Sequence, residues 1–139
     1  MQKFSHVRRF LKIAFVLFAL LSCGRLLAQP AGYDVFVPIC KYMAQGNADN
    51  LSAWFDDTLE IAVISQASNA SKAQAKQIVK TFFENYSPRS FTINHTAGRD
   101  NMKYALGTLK AGGENFSVTI FVSSKGKSYK IQQLKIEQL

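Results

Sequence analysis

The chain is 139 residues long, with 17 Lys and Arg against nine Asp and Glu and a formal charge of +8. Five of those bases (Lys3, Arg8, Arg9, Lys12 and Arg25) fall in the first 28 residues and none of the acids does; the remainder has twelve bases against nine acids, a balance of +3 that removes the main support for nucleic-acid binding. Residues 29–139 suffice for one domain with one core, their Phe and Tyr residues with Trp54 can fill it, and the single cysteine left, Cys40, excludes an internal disulfide or a paired-cysteine zinc site.

The chain opens as an export signal. Lys3, Arg8, Arg9 and Lys12 precede an apolar run from Ile13 to Leu21, after which small residues and Ala28 follow. A membrane span needs about 20 apolar residues, and this run is shorter and soon meets Gly24 and Arg25. Residues 1–28 are therefore expected to be a signal peptide, cleaved between Ala28 and Gln29, and residues 29–139 a single exported domain, periplasmic or secreted. The alternative is a lipoprotein anchored through Cys23, because Leu20-Leu21-Ser22-Cys23 loosely resembles a lipoprotein box.

Asp34 is placed to cap a first helix, with Pro38 in its opening turn, Phe36, Ile39, Cys40 and Met43 at helical spacing, and Gly46 as its end. Cys40 then reads as a core thiol. Asn47 caps a second short helix with Leu51, Trp54 and Phe55 on one face, and Asp56 and Asp57 read as its terminus and the following loop. Residues 59–65 read as a strand, apolar on both faces apart from Glu60 and so covered on each side, and residues 66–70 as a polar connection. The clearest helix starts at the Ser71/Gln74 capping box, carries Ala75, Ile78, Val79, Phe82, Phe83 and Tyr86 as one stripe, and is closed off by Pro88.

From Arg89 the period changes to two. Residues 89–96, 102–110, 115–123 and 128–138 read as successive strands joined by hairpins, with Gly112-Gly113 and the segment around Gly126 supplying the turns. Phe116, Val118, Ile120 and Val122 share one face. In the last strand Tyr129 and Ile131 keep one phase and Leu134 and Ile136 the other, which a bulge near Gln132-Gln133 reconciles. The fold class is α+β: N-terminal helices packed in the concave face of a curved, mostly antiparallel sheet, forming a cone with its cavity on the concave side.

The order Pro38, Gly46, Leu51-Ser52-Ala53-Trp54-Phe55, Leu59-Glu60, Ser71 to Lys76, Phe82-Phe83, Phe91, His95, Lys103-Tyr104, Gly107 and Ile131-Gln132 is similar to small exported proteins of Bacteroidetes-type bacteria that bear the label domain of unknown function 4783. The resemblance covers nearly all of residues 29–139. It implies a fold similar to nuclear transport factor 2 and the cystatin-like cone proteins, and it brings no activity, so no residue role transfers from it. Where such proteins often have Gly-Asp after the first helix, this chain has Gly46-Asn47, which keeps a capping residue.

Three residues are candidates for the cavity. Alternation sets His95 on the same apolar sheet face as Phe91 and Ile93, as a core histidine or as a base or pocket ligand near neutral pH. Glu60 shares a face with Ala62 and Ile64, as a partly buried carboxylate or as the partner of a lysine at the sheet's edge. Tyr104, or Tyr42, is available as a donor beside it. Lys72, Lys76 and Lys80, with Lys125, Lys127 and Lys130, read as solvated faces or an anion-binding patch.

No glycine-rich phosphate cradle, nucleophile elbow or metal-binding helix motif occurs, so no catalytic residue, cofactor or metal is assigned. The expected function is an exported binding or interaction module of the bacterial envelope, not an enzyme, with a small ligand in the concave cavity or an envelope protein as partner. The alternatives are a small cofactor-independent enzyme using Glu60, His95 and a tyrosine, and a homodimeric structural component paired through the convex sheet face by outward residues such as Phe121.

Overall fold

The structure is a computed structural model that describes residues 34–139; the expected signal peptide, its cleavage position at Ala28 and Gln29, and the alternative anchor at Cys23 lie outside the described residues. Val35–Leu139 forms one unit by itself. Its elements are α1 (Phe36–Gln45), α2 (Ala48–Ser52), β1 (Phe55–Val63), β2 (Gln66–Ser71), α3 (Lys72–Asn85), β3 (Pro88–Arg99), β4 (Met102–Ala111), β5 (Glu114–Lys125) and β6 (Ser128–Gln138). The strands make one sheet in the order β2-β1-β6-β5-β4-β3. Every neighbouring pair is antiparallel except β1 and β6.

The helices form where capping and apolar spacing agree. In α1, Phe36, Ile39 and Met43 are buried and Gly46 terminates the helix at φ 66°, a conformation that costs glycine no side-chain clash. Its N-cap is Val35, one residue beyond the expected Asp34. In α2 the Asn47 side chain accepts the Asn50 N–H at 3.0 Å. The helix is only five residues long: Trp54 and Phe55, expected on its face, follow it, because Phe55 pairs with Ile131 of β6 and opens β1. Asp56 and Asp57 therefore lie in a strand. At the head of α3, Ser71 Oγ accepts the Gln74 N–H at 3.2 Å and Gln74 Oε1 accepts the Ser71 N–H at 3.1 Å, the expected reciprocal cap. Ala75, Val79, Phe82 and Phe83 are buried along its stripe.

The sheet buries one face. Phe116, Val118, Ile120 and Val122 of β5, Leu109 and Ala105 of β4, and Ile131, Leu134 and Ile136 of β6 point into the single core. α1 packs on β3 and β4, and α3 on β1 and β2. The Phe82 ring also meets Phe116 edge-on at 5.1 Å, so α3 reaches the centre of the sheet. Among the described residues the other face carries no helix. β1 is thus covered on one side only, and Glu60 on its open side is exposed rather than partly buried.

Of the irregularities in the ladders, two bulges set which face the residues of β6 and of β3 occupy. In β6 the pairing passes from Ile131 opposite Val122 to Gln133 opposite Phe121, leaving Gln132 over, which brings Ile131, Leu134 and Ile136 onto one face as expected. In β3 the pairing passes from Ile93 opposite Gly107 to His95 opposite Leu106. Asn94 is the extra residue, and its Nδ2 donates to Thr108 Oγ1 at 2.9 Å. This second bulge reverses the alternation, so His95 leaves the face of Phe91 and Ile93 and lies exposed on the helix-free side. Residues 66–70, expected as a connection, belong with Ser71 to the edge strand β2, paired with β1 from Val63↔Gln66 to Thr58↔Ser71.

Candidate functional site

Two helical rows make one side of a groove. On α3, Gln77, Thr81 and Asn85 recur every four residues, as do Ile78 and Phe82 in the adjacent row, which Tyr86 prolongs just past the helix end, so a polar ridge runs beside an apolar one. Both ridges face the β1–β2 hairpin across a groove of about 600 Å³. Ile61 and Phe82 are its buried floor, and Val63, Ile64, Ile78 and Tyr86 are its half-buried walls. Gln66, Ser68, Gln77, Thr81 and Asn85 ring the mouth. Its lining therefore offers apolar surface, amides, hydroxyls and one phenol, and contains no carboxylate, imidazole, ammonium, guanidinium or thiol.

The three candidate residues lie elsewhere. Glu60, Gln133, Phe121 and Tyr104 stand opposite one another in successive strands and form one row across the helix-free face. Glu60 is thus three strand spacings from Tyr104, about 14 Å. Glu60 accepts from Gln133 Nε2 at 3.2 Å. The His95 ring lies 6.2 Å from that of Tyr104, and Leu106, opposite His95, is 38% exposed. The structure brings His95 and Tyr104 together but leaves Glu60 apart from them, and none of the three lines the groove. Tyr42 is half-buried on α1, with Lys41 Nζ 5.8 Å from its ring centre. Cys40 is half-buried and donates to the Phe91 carbonyl oxygen at 3.5 Å. Among the described residues no three His, Cys, Asp or Glu side chains are grouped to hold a metal.

A different carboxylate is the buried one. Asp56 is only 8% exposed. Its Oδ1 accepts from Lys125 Nζ at 2.9 Å and from the Asp57 N–H at 2.8 Å, and its Oδ2 from Gln132 Nε2 at 2.8 Å. The Lys125 ammonium holds the Asp56 carboxyl below the ordinary carboxylate range, with the Gln132 and Asp57 donors acting in the same direction and burial against it. Asp56 sits where the β1–β6 register breaks between Phe55 and Glu60, and it is met there by the bulge residue Gln132. Sequence reasoning missed it by reading Asp56 as a helix end. The one available signal was the apolar pair Phe55 and Leu59 around it, which fits a strand as well as a helix.

The lysines divide between two sites. Lys76 pairs with Asp49 at 3.0 Å, and its ammonium lowers the Asp49 carboxyl. Lys125 is taken up by Asp56, which raises the lysine's own pKa, and Lys130 donates to the Ala53 carbonyl at 3.0 Å. Three of the six lysines thus tie elements together.

Comparison with known proteins gives the same fold. A protein from Bacteroides uniformis is 25% identical, superimposes with a TM-score of 0.73, and aligns over 76% of this chain and 98% of its own. Another, from Bacteroides ovatus, is 24% identical with a TM-score of 0.73, over 78% of this chain and 98% of its own. Both are described as DUF4783 family proteins. A protein of the NTF2-like family from Streptomyces avermitilis, 8% identical, superimposes with a TM-score of 0.56 over 75% of this chain and 91% of its own, a likeness of fold alone. No curated protein matches the chain. The helices in one face of a curved sheet are those of the NTF2-like fold, and since the family described as domain of unknown function (DUF4783) matches residues 36–137, from the first turn of α1 to the end of β6, this chain belongs to that family.

Proposed function

We propose that this protein is an exported binding module of the bacterial envelope whose groove between α3 and the β1–β2 hairpin takes an uncharged amphiphile. The observation that carries the reading is the groove's lining: an apolar floor and walls under a ring of neutral amides and hydroxyls, in a volume of about 600 Å³. Small-molecule sites fall in the same range, about 300–1,000 Å³, and have the same balance of apolar surface with a few polar groups. A charged ligand buried here would find no counter-charge among the lining residues. Proton transfer would find no carboxylate or imidazole, which favours binding over turnover. The basic, then apolar, then small-residue pattern of residues 1–28 supports export.

The test uses Nile red, a neutral fluorophore with an apolar body and a carbonyl acceptor. Saturable binding is expected, with displacement by octyl glucoside below its micellar concentration. A Thr81→Trp protein, which fills the groove from an exposed helix position, is expected to lose it. Absence of saturable binding, or equal binding by Thr81→Trp, overturns the groove as the site. Export is checked by the intact mass of the protein taken from its own envelope: a chain starting at Gln29 is expected, and a lipid on Cys23 overturns the soluble form.

A further inference from the structure

We propose that Ile64 determines the groove's affinity for the apolar part of its ligand, and that the turn carrying it is held in an unfavourable conformation for that purpose; this rests on the groove being a binding site. Val63 pairs with Gln66, so the β1–β2 loop is just Ile64 and Ser65. Both have positive φ, 46° and 68°. A two-residue hairpin of that kind is a type I′ turn, whose favoured residues are Asn and Gly. A β-branched residue there is an outlier, because its side chain crowds the neighbouring backbone.

The other described residues obey the rule that this turn breaks. Among the described residues the other positive-φ positions are Gly46, Gly98, Gly112, Gly113 and Gly126, and Ile64 and Ser65 are the two exceptions. The turn is not loose. The Ile64 N–H donates to the Ile136 carbonyl of β6 at 2.9 Å, extending the sheet past the end of β1 and fixing the direction of the side chain. That side chain is half-buried and forms part of the groove wall, facing the ridge of Ile78, Phe82 and Tyr86. An ordinary turn residue would relax the backbone and remove apolar surface from the wall. The strain and the groove wall therefore meet in one residue, as expected where backbone strain serves a ligand contact.

Ser65→Gly and the double variant Ile64→Asn/Ser65→Gly separate the two effects by thermal unfolding and Nile red binding. Ser65→Gly is expected to raise Tm by several degrees while keeping Kd within twofold of wild type. The double variant is expected to be at least as heat-stable as wild type, yet to bind Nile red about tenfold more weakly. Octyl glucoside should compete with wild type roughly tenfold better than hexyl glucoside, as two buried methylenes require. That preference is expected to shrink to a few-fold in the double variant. A double variant that binds within twofold of wild type with the preference intact overturns the inference and leaves the groove standing. A double variant with a markedly lower Tm also overturns it, because Ile64 would then be held by packing. A wild-type protein that does not bind the dye overturns the groove reading and this inference with it.

Discussion

At the scale of single residues, Asp56 and Gly107 show how much one atom can matter. Asp56 is held ionised below its ordinary range by Lys125, with Gln132 and the Asp57 N–H as further donors. A carboxyl lowered in the folded state adds stability that is complete above the unfolded value, about pH 4, and is lost as pH falls through the folded one. Asp56→Asn is therefore expected to be less stable than wild type at neutral pH by about 1–2 kcal/mol, a modest amount because Lys125 is half in water. The gap should narrow on acidification below the ordinary carboxylate range, as Asp56 takes up its proton in the folded state as well. Urea unfolding at both pH values checks this, and a constant gap would contradict it. At Gly107 a Cβ would come within 2.7 Å of the Phe91 ring and of the Thr92 carbonyl oxygen. Gly107→Ala is expected to cost about 2 kcal/mol, read as a lower urea midpoint with an unchanged slope, because the ring cannot clear backbone and side chain together.

At the scale of elements, the reciprocal cap of α3 is the most local device and among the most legible. Ser71→Ala removes the acceptor for the Gln74 N–H and is expected to lower stability by about 1 kcal/mol. Ser71→Asp should restore most of it in the same unfolding measurement. The two bulges show why legibility varied. The one at Gln132 was visible because Ile131, Leu134 and Ile136 lie on both sides of it and record the change of phase. The one at Asn94 was not, because β3 has no large apolar residue after Ile93 to report that the alternation has reversed. His95 was therefore assigned to the wrong face. Strand β2 was missed for a related reason: its composition, Gln-Ala-Ser-Asn-Ala-Ser, has no apolar alternation, and only its ladder to β1 makes it a strand.

At the scale of the whole molecule, the sheet is closed into one core by a pairing between distant parts of the chain, β1 against β6. β5 and β6 are flanked on both sides and carry much of the buried surface, whereas β2 is an edge strand exposed along most of its length. Hydrogen exchange is expected to be slowest in β5 and β6, at the rate set by global unfolding. It should be fastest in β2, which can open without disturbing the core. Equal protection of β2 and β5 would show that the hairpin belongs to the same cooperative unit as the central strands. The groove lies between the central core and this edge: Phe82 of its floor packs on Phe116 of β5, and Ser68 and Gln66 of its mouth belong to β2.

Whatever depends on neighbours along the chain was legible before the fold was known. The caps at Asn47 and Ser71, the apolar stripe of α3, the four long strands, the glycine turns and the order of residues resembling the family all follow from local spacing and side-chain chemistry. Which face each polar residue occupies was set by the folded packing instead. That depends on the register between strands far apart in sequence: the shift at Asn94 turned His95 outward, and the open side of β1 left Glu60 exposed. The break in the β1–β6 ladder made Asp56 the buried carboxylate. The groove was beyond local reading for the same reason, because Ile64 and Ile78 become opposite walls only when the β1–β2 hairpin and α3 are laid against each other.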